Sequence, residues 1–271
     1  LAPLRSQNFS KKSSKFWRNE KMKFHFSFAF FDEICDFSAK IWWNFAGISQ
    51  KLSGNGKKVD TPKRLRKAEK INLFTSNTGV YASVSTDQID AAINDLLREN
   101  YKIDNRTLLE LNTSNELFGN QNFALNEVAV TKKDTSSMIK VDAYVDDEFL
   151  NSYWADGLIV STPTGSTGYS LSCGGPIIMP QSGNIIITPI AQHNLNVRPI
   201  VIDDESVIKL KVVDRDDLAL ISLDSRSRAF DSSTEITIKK ASFNIKLINP
   251  PFNSFLSTVR NKLMWGIDKR N

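Results

Sequence analysis

Ala155-Asp156-Gly157-Leu158-Ile159-Val160-Ser161-Thr162-Pro163-Thr164-Gly165-Ser166-Thr167-Gly168-Tyr169-Ser170-Leu171-Ser172-Cys173-Gly174-Gly175-Pro176 is the stretch on which the fold turns. An acidic residue precedes a short apolar run, Leu158 to Val160, and hydroxyls and glycines follow without a break to Gly168. A strand that ends in such a block offers backbone N–H groups and small hydroxyls where a ligand can come close. A phosphate, a ribose or an amide suits those groups. A Ser/Thr/Gly-rich surface loop is the competing reading.

Outward from this stretch the chain reads as many short strands. They are expected near 107–111, 123–131, 138–145, 149–154, 157–161, 184–188, 206–213, 218–224, 234–240 and 243–248. Strands so frequent, separated by short Asp, Asn, Ser or Gly turns, indicate a β-rich domain. Pro250-Pro251 stops the run. Asn253 or Ser254 then starts a helix with Leu256, Val259, Leu263 and Met264 on one side. Upstream, Thr86 or Asp87 is placed to cap a helix whose Ile89, Ile93, Leu96 and Leu97 share a face. No internal repeat is present.

Composition narrows the class. Two cysteines, Cys35 and Cys173, are too few for a disulfide framework, so a reducing compartment is expected. No apolar run reaches the roughly 20 residues of a membrane helix. The net charge of +5 is not spread evenly, because residues 1–70 hold 16 Lys/Arg against 6 Asp/Glu while residues 71–271 hold 19 against 24. A basic, aromatic-rich start is compatible with nucleic acid, but the acidic body does not favour it. Residues 1–50 carry 12 of the 27 aromatics yet keep neither a helical nor an alternating period. The Lys/Arg-rich 51–70 reads as poorly ordered or as linker.

Four motifs carry candidate chemistry. Asn126-Glu127 sits among strand-like apolar residues and could offer an amide to a base and a carboxylate to sugar hydroxyls. A polar strand end in water is the alternative. Asp156-Gly157 with Thr164–Ser170 supplies hydroxyls and open amides, and Tyr169 adds a ring face and a phenol. His193, in Thr188–Leu195, has neither a nucleophile motif nor metal-ligand spacing beside it and reads as structural. Asp224-Ser225-Arg226 is either a surface pair or part of a nucleotide site.

Taken together, in this order and spacing, these motifs resemble the NAD kinase family. The resemblance is carried by Asn126-Glu127, Asp156-Gly157, Ser161–Pro176, Pro189–His193, Asp224-Ser225 and Leu256–Trp265, over roughly residues 76–271. It implies an α+β protein: an N-terminal α/β nucleotide-binding domain and a C-terminal β-rich (β-sandwich) domain with a returning C-terminal helix. The implied boundaries are an atypical basic, aromatic segment at 1–70, a remnant of the α/β domain at 71–102, the NAD-binding β-rich domain at 103–250, and the last helix at 251–271. The implied reaction moves the γ-phosphoryl of ATP, with Mg²⁺, to the 2′-hydroxyl of the adenosine ribose of NAD, giving NADP. Asn126 and Glu127 would hold base and ribose, and Asp156 another polar edge. Thr164, Thr167, Gly168, Tyr169, Ser170, Leu171 and Ser172 would line the adenosine part, and Ala191 would approach through its backbone. The resemblance also implies a cytoplasmic homo-oligomer.

The sequence departs from the family in one place. The family's Gly-Gly-Asp-Gly-Thr, whose aspartate is the base for the 2′-hydroxyl, is not found; Gly54-Asn55-Gly56 has no aspartate. The segment Asn77-Thr78-Gly79-Val80-Tyr81-Ala82 is altered as well. Residues 1–75 do not read as an α/β domain, and their Phe/Trp/Lys/Ser bias resembles an out-of-frame stretch. Two functions are therefore open: an NAD kinase, or a dinucleotide-binding remnant that does not transfer phosphate.

Overall fold

The computed structural model describes residues 89–133, 138–213, 218–251 and 254–263. The expected cap at Thr86 or Asp87, the segments around Gly54 and Asn77, and Met264 and Trp265 lie outside the described residues. All described residues belong to one compact unit within Leu73–Asn271.

Twelve strands run β1 (Lys102–Thr113), β2 (Phe123–Ala124), β3 (Glu127–Lys132), β4 (Ile139–Val145), β5 (Glu148–Ala155), β6 (Gly157–Ser161), β7 (Asn184–Ile190), β8 (Ile200–Asp203), β9 (Ile208–Val213), β10 (Leu218–Leu223), β11 (Arg226–Asp231) and β12 (Ile236–Asn249). Helix α1 (Ile89–Leu97) precedes them, the four-residue α2 (Tyr169–Ser172) follows β6, and α3 (Phe255–Leu263) ends the described chain. The strands form two six-stranded sheets, ordered β2-β1-β12-β9-β4-β5 and β11-β10-β3-β6-β7-β8. The first joins strands across β1–β12, and the second is centred on β3–β6–β7, all antiparallel.

The core lies between the sheets. Leu109, Val141, Ile208, Leu210 and Ile238 of the first meet Val128, Val130, Leu158, Val160, Ile185 and Ile187 of the second. Strand β9, Ile-Lys-Leu-Lys-Val-Val, alternates buried and exposed because only one face of its sheet is covered. Strand β6 is buried at all five positions. Its other face, with Ala129 and Ile190, lies under a second small cluster that Cys173 joins. The hydroxyl-rich stretch after β6 is thus folded back over the second sheet.

Several expected boundaries change. The span 123–131 is two strands in different sheets, broken at Leu125-Asn126. The spans 234–240 and 243–248 are one 14-residue strand, β12, whose pairing with β1 shifts register between Thr107 and Leu109. Strands β8 and β11 were not expected: the first has four residues, and the second buries only Phe230. In α3, Ser254 caps as expected, its hydroxyl accepting from the Ser257 N–H at 3.1 Å while the Ser254 N–H reaches the Ser257 hydroxyl at 3.2 Å. Leu256 is not on the inner side: it is 57% exposed, and Val259 is buried.

Candidate functional site

The Asn126-Glu127 pair sits where the chain leaves the first sheet for the second. Backbone groups at such a joint have no regular ladder partner and must find another. They find it on both sides. Asp224, in the two-residue turn between β10 and β11, accepts from the N–H groups of Leu125 (3.0 Å), Asn126 (2.7 Å) and Glu127 (3.2 Å). It holds a positive φ of 53° to do so, a conformation Asp tolerates better than most residues. From the other side the Thr162 N–H donates to the Asn126 carbonyl at 2.9 Å, and the Thr162 hydroxyl donates to the Leu125 carbonyl at 2.6 Å. Gly165 packs so closely that a Cβ there would overlap the Asn126 carbonyl. Arg226 ties down the preceding segment, donating to the Gln121 carbonyl at 2.6 Å and to that of Phe123. Asp224-Ser225-Arg226 is therefore part of the site's frame.

Glu127 is the group this frame presents. Burial, and second the charge of Asp224, push its carboxyl from the ordinary 4.5 to about 7. Its Oε2 is buried with no hydrogen-bond partner, and so is the Thr167 hydroxyl. A Cβ built on Gly168 would stand 3.5 Å from that Oε2. Native proteins seldom leave buried polar atoms unpaired. An orphaned carboxylate oxygen and an orphaned hydroxyl beside a glycine can serve a ligand as acceptor and donor. Burial likewise raises the Asp224 carboxyl, against the lowering effect of its three backbone donors and of Arg226.

A second half of the site lies at the other joint, Asp156, between β5 and β6. The Asp156 N–H donates to the Ile190 carbonyl at 2.9 Å, and its carbonyl accepts from the Lys132 N–H at 3.0 Å. Its carboxylate pairs with the Lys132 ammonium at 2.6 Å. Ala191, next after Ile190, is exposed and holds φ at 45°. Tyr169 links the halves: it is 43% exposed, and its phenol is raised by burial first, then by Cys173, Asp156 and Glu127.

The remaining expected residues separate by exposure. Thr164 is buried at 2%, and Gly168 and Ser172 are open to solvent. Leu171 is half-buried. Ser170 points inward, its hydroxyl 2.8 Å from that of Thr188, and fixes the loop onto β7. His193 is exposed, and its N–H donates to the Trp154 carbonyl at 2.9 Å. Sequence reasoning missed Thr162, whose two bonds hold the joint. It also missed Asp104 and Arg106 on β1, both 8% exposed. Both have the parity of Leu108, opposite to that of the core residues Leu109 and Leu111, so the strand's core-facing alternation does not mark them as buried.

The fold is a two-sheet β-sandwich whose second sheet carries the polar groups of the two joints. A family profile described as ATP-NAD kinase C-terminal domain matches residues 125–250. The chain is 52% identical over 203 residues to the NAD kinase of Flavobacterium johnsoniae, covering 74% of this chain and 69% of that protein. It is 48% identical over 201 residues to the NAD kinase of Cytophaga hutchinsonii, with the same coverage. Among solved structures, yeast NADH kinase complexed with NADH shares the fold at a TM-score of 0.66 and 24% identity, over 73% of this chain and 61% of that one. An NAD kinase from Archaeoglobus fulgidus in complex with ATP aligns at a TM-score of 0.59 and 27% identity, over 70% and 72%. The chain belongs to the NAD kinase family.

Proposed function

We propose that the polar groups at these two joints bind NAD and that the chain serves the conversion of NAD to NADP, moving the ATP γ-phosphoryl to the 2′-hydroxyl of the adenosine ribose. The observation that carries the binding reading is the pair of buried, unpartnered atoms, Glu127 Oε2 and Thr167 Oγ1, beside Gly168. Relatives named NAD kinase, a yeast relative in fold complexed with NADH and an archaeal one complexed with ATP support it. Asn126 and Glu127 take base and ribose hydroxyls, Asp156 a second polar edge, and Ala191 a backbone contact. Thr164 and the run Thr167 to Ser172 line the adenosine, with Ser170 acting through its hold on Thr188.

In phosphoryl transfer the protein positions the reactants and neutralises charge more than it forms bonds. Among the described residues no group of three or more His, Cys, Asp or Glu is disposed to hold a metal ion. These residues do not fit a protein-held Mg²⁺, and the ion enters with the ATP phosphates. Among the described residues no helix is long and apolar enough to cross a membrane. We place the protein in the cytoplasm as a homo-oligomer.

A second reading rests on one observation: residues 1–271 contain no Gly-Gly-Asp-Gly sequence. Losing a general base forfeits about 10²–10⁴ in rate, and losing the ATP cradle removes the alignment as well. On this reading the 271-residue chain binds NAD and makes little or no NADP. Two measurements settle both. Calorimetric titration with NAD should show binding that Asn126→Ala or Asp156→Ala each weakens by about 1–3 kcal/mol; equal affinity in all three proteins refutes the site. A coupled assay for NADP with ATP and Mg²⁺ separates the two readings. Turnover near about 1 s⁻¹ establishes the kinase and points to Asp32, Asp36 or Asp60 as the replacement base; binding without turnover establishes the second reading.

A further inference from the structure

A charged pair on the first sheet reaches across to the binding loop of the second. Arg106 Nε and Nη2 both donate to Asp104 Oδ2, at 2.9 and 2.5 Å, and Arg106 Nη1 donates to the Thr164 hydroxyl at 3.3 Å. The other Asp104 oxygen, Oδ1, accepts from the Gln181 side-chain amide at 2.9 Å. Thr164 stands near the start of the segment that lines the candidate site, and Gln181 near its end, just before β7. One buried carboxylate on β1 thus fastens both ends of the 162–183 loop, directly at Gln181 and through Arg106 at Thr164.

We propose that Asp104 and Arg106 are positioning residues for dinucleotide binding. This rests on the NAD-binding reading of the same site. Burying two charges is costly, and an apolar pair of similar size stabilises a fold equally well or better. A role beyond stability accounts for the pair, and its third donor, on Thr164, points to the binding loop. A hydroxyl has one proton to give and lone pairs to accept with. The guanidinium, which only donates, occupies the acceptor side of Thr164 Oγ. Among the described residues no acceptor takes the Thr164 proton. The hydroxyl's proton is thereby left without an acceptor among these residues, and an acceptor atom of the ligand, such as a ring nitrogen or a phosphate oxygen, takes it. The loop is also held independently, through the Thr162 hydroxyl to the Leu125 carbonyl at 2.6 Å and through Ser170 to Thr188. Loosening the pair should therefore misplace Thr164 without unfolding the loop.

The test compares NAD affinity, by calorimetry on the full chain, in the parent, Thr164→Ala, Asp104→Leu/Arg106→Met, and the triple variant. The paired replacement removes both charges together, so it avoids the uncompensated charge that Arg106→Met alone would bury. Gln181 is exposed and can turn to water. Thermal unfolding confirms that the paired variant is folded. The expected result is a roughly tenfold weaker affinity in the paired variant, equivalent to one hydrogen bond, with no further loss in the triple variant beyond Thr164→Ala. Faster amide exchange at residues 164–167 should accompany it. Parent-like affinity in a folded paired variant overturns the proposal, and so do losses that add independently in the triple variant. A parent chain that binds no NAD removes the functional reading and this inference with it, so the two failures are told apart by the parent alone.

Discussion

Glu127 gives the most direct handle on the site. Its carboxyl is raised from an ordinary 4.5 to about 7 by burial and by Asp224. A carboxyl with a raised folded pKa favours folding in its protonated form. That advantage is complete below about pH 4.5 and is lost as pH rises through about 7. At about 1.4 kcal/mol per pH unit, the loss comes to about 3 kcal/mol, of which about 2 kcal/mol falls between about pH 5.5 and pH 8.5. Glu127→Gln keeps the shape, cannot ionise and should abolish this slope. Urea unfolding of parent and variant across that range should give curves that meet on the acid side and diverge on the alkaline side, with the variant more stable by about 2–3 kcal/mol at pH 8.5. The same substitution should weaken NAD binding, because the amide offers one neutral acceptor oxygen where the carboxylate offers two charged ones. Parallel stability curves would mean that Glu127 titrates as an ordinary surface carboxyl, and the case for a buried, waiting carboxylate would fall.

Other expectations follow from single contacts. Gly165→Ala drives a methyl into the Asn126 carbonyl and should lower the melting temperature by an amount equivalent to about 1–3 kcal/mol; an unchanged transition would contradict the packing. Asp224→Asn keeps a residue that tolerates the positive φ but turns an amide donor toward at least one backbone N–H. It should cost about 1–3 kcal/mol by urea midpoint and bring the Glu127 titration, followed by NMR, to lower pH. Tyr169→Ala, at a half-open position, should weaken NAD binding while leaving the melting temperature within about 1 °C, consistent with a surface change below about 0.5 kcal/mol. Sedimentation should show a dimer or larger species, since β2, β11, β5 and β8 are edge strands that gain by association; a clean monomer at micromolar concentration would count against this.

Much of this was legible in the sequence, for identifiable reasons. Strand β9 announces itself because one of its faces meets water and the other the core. Strand β6 reads as a plain apolar run because both of its faces are covered. Strand β11 was invisible: Arg-Ser-Arg-Ala-Phe-Asp pairs with β10 alone at a sheet edge, so only Phe230 is under pressure to be apolar. The break within 123–131 was hidden because both halves carry strand-like residues and only the change of sheet separates them. For the site, residue types pointed to Asn126, Glu127 and Asp156, but spacing along the chain held no trace of Asp224 pinning a joint 98 residues away. Nor could it reveal Asp104 and Arg106, since a buried charge is recognisable only once its strand's inward phase is known.

The two halves of the candidate site share a structural origin. Leu125-Asn126 and Asp156 are the places where the chain steps from one sheet to the other within one or two residues. A strand cannot change sheets without breaking its ladder, and the backbone groups freed there must be satisfied by other partners. At the first joint Asp224 and Thr162 do this, and at the second the Ile190 carbonyl and the Lys132 amide do. The partners at the first joint are polar side chains, and the glycine-rich loop must come close to complete the set. That closeness leaves Glu127 Oε2 and Thr167 Oγ1 buried beside Gly168 without partners. The unpaired acceptor and donor are thus a by-product of how a two-sheet fold handles its own crossings. This is why stability and binding should fall together for Asp224 at the joint, and separately for Tyr169 at the rim.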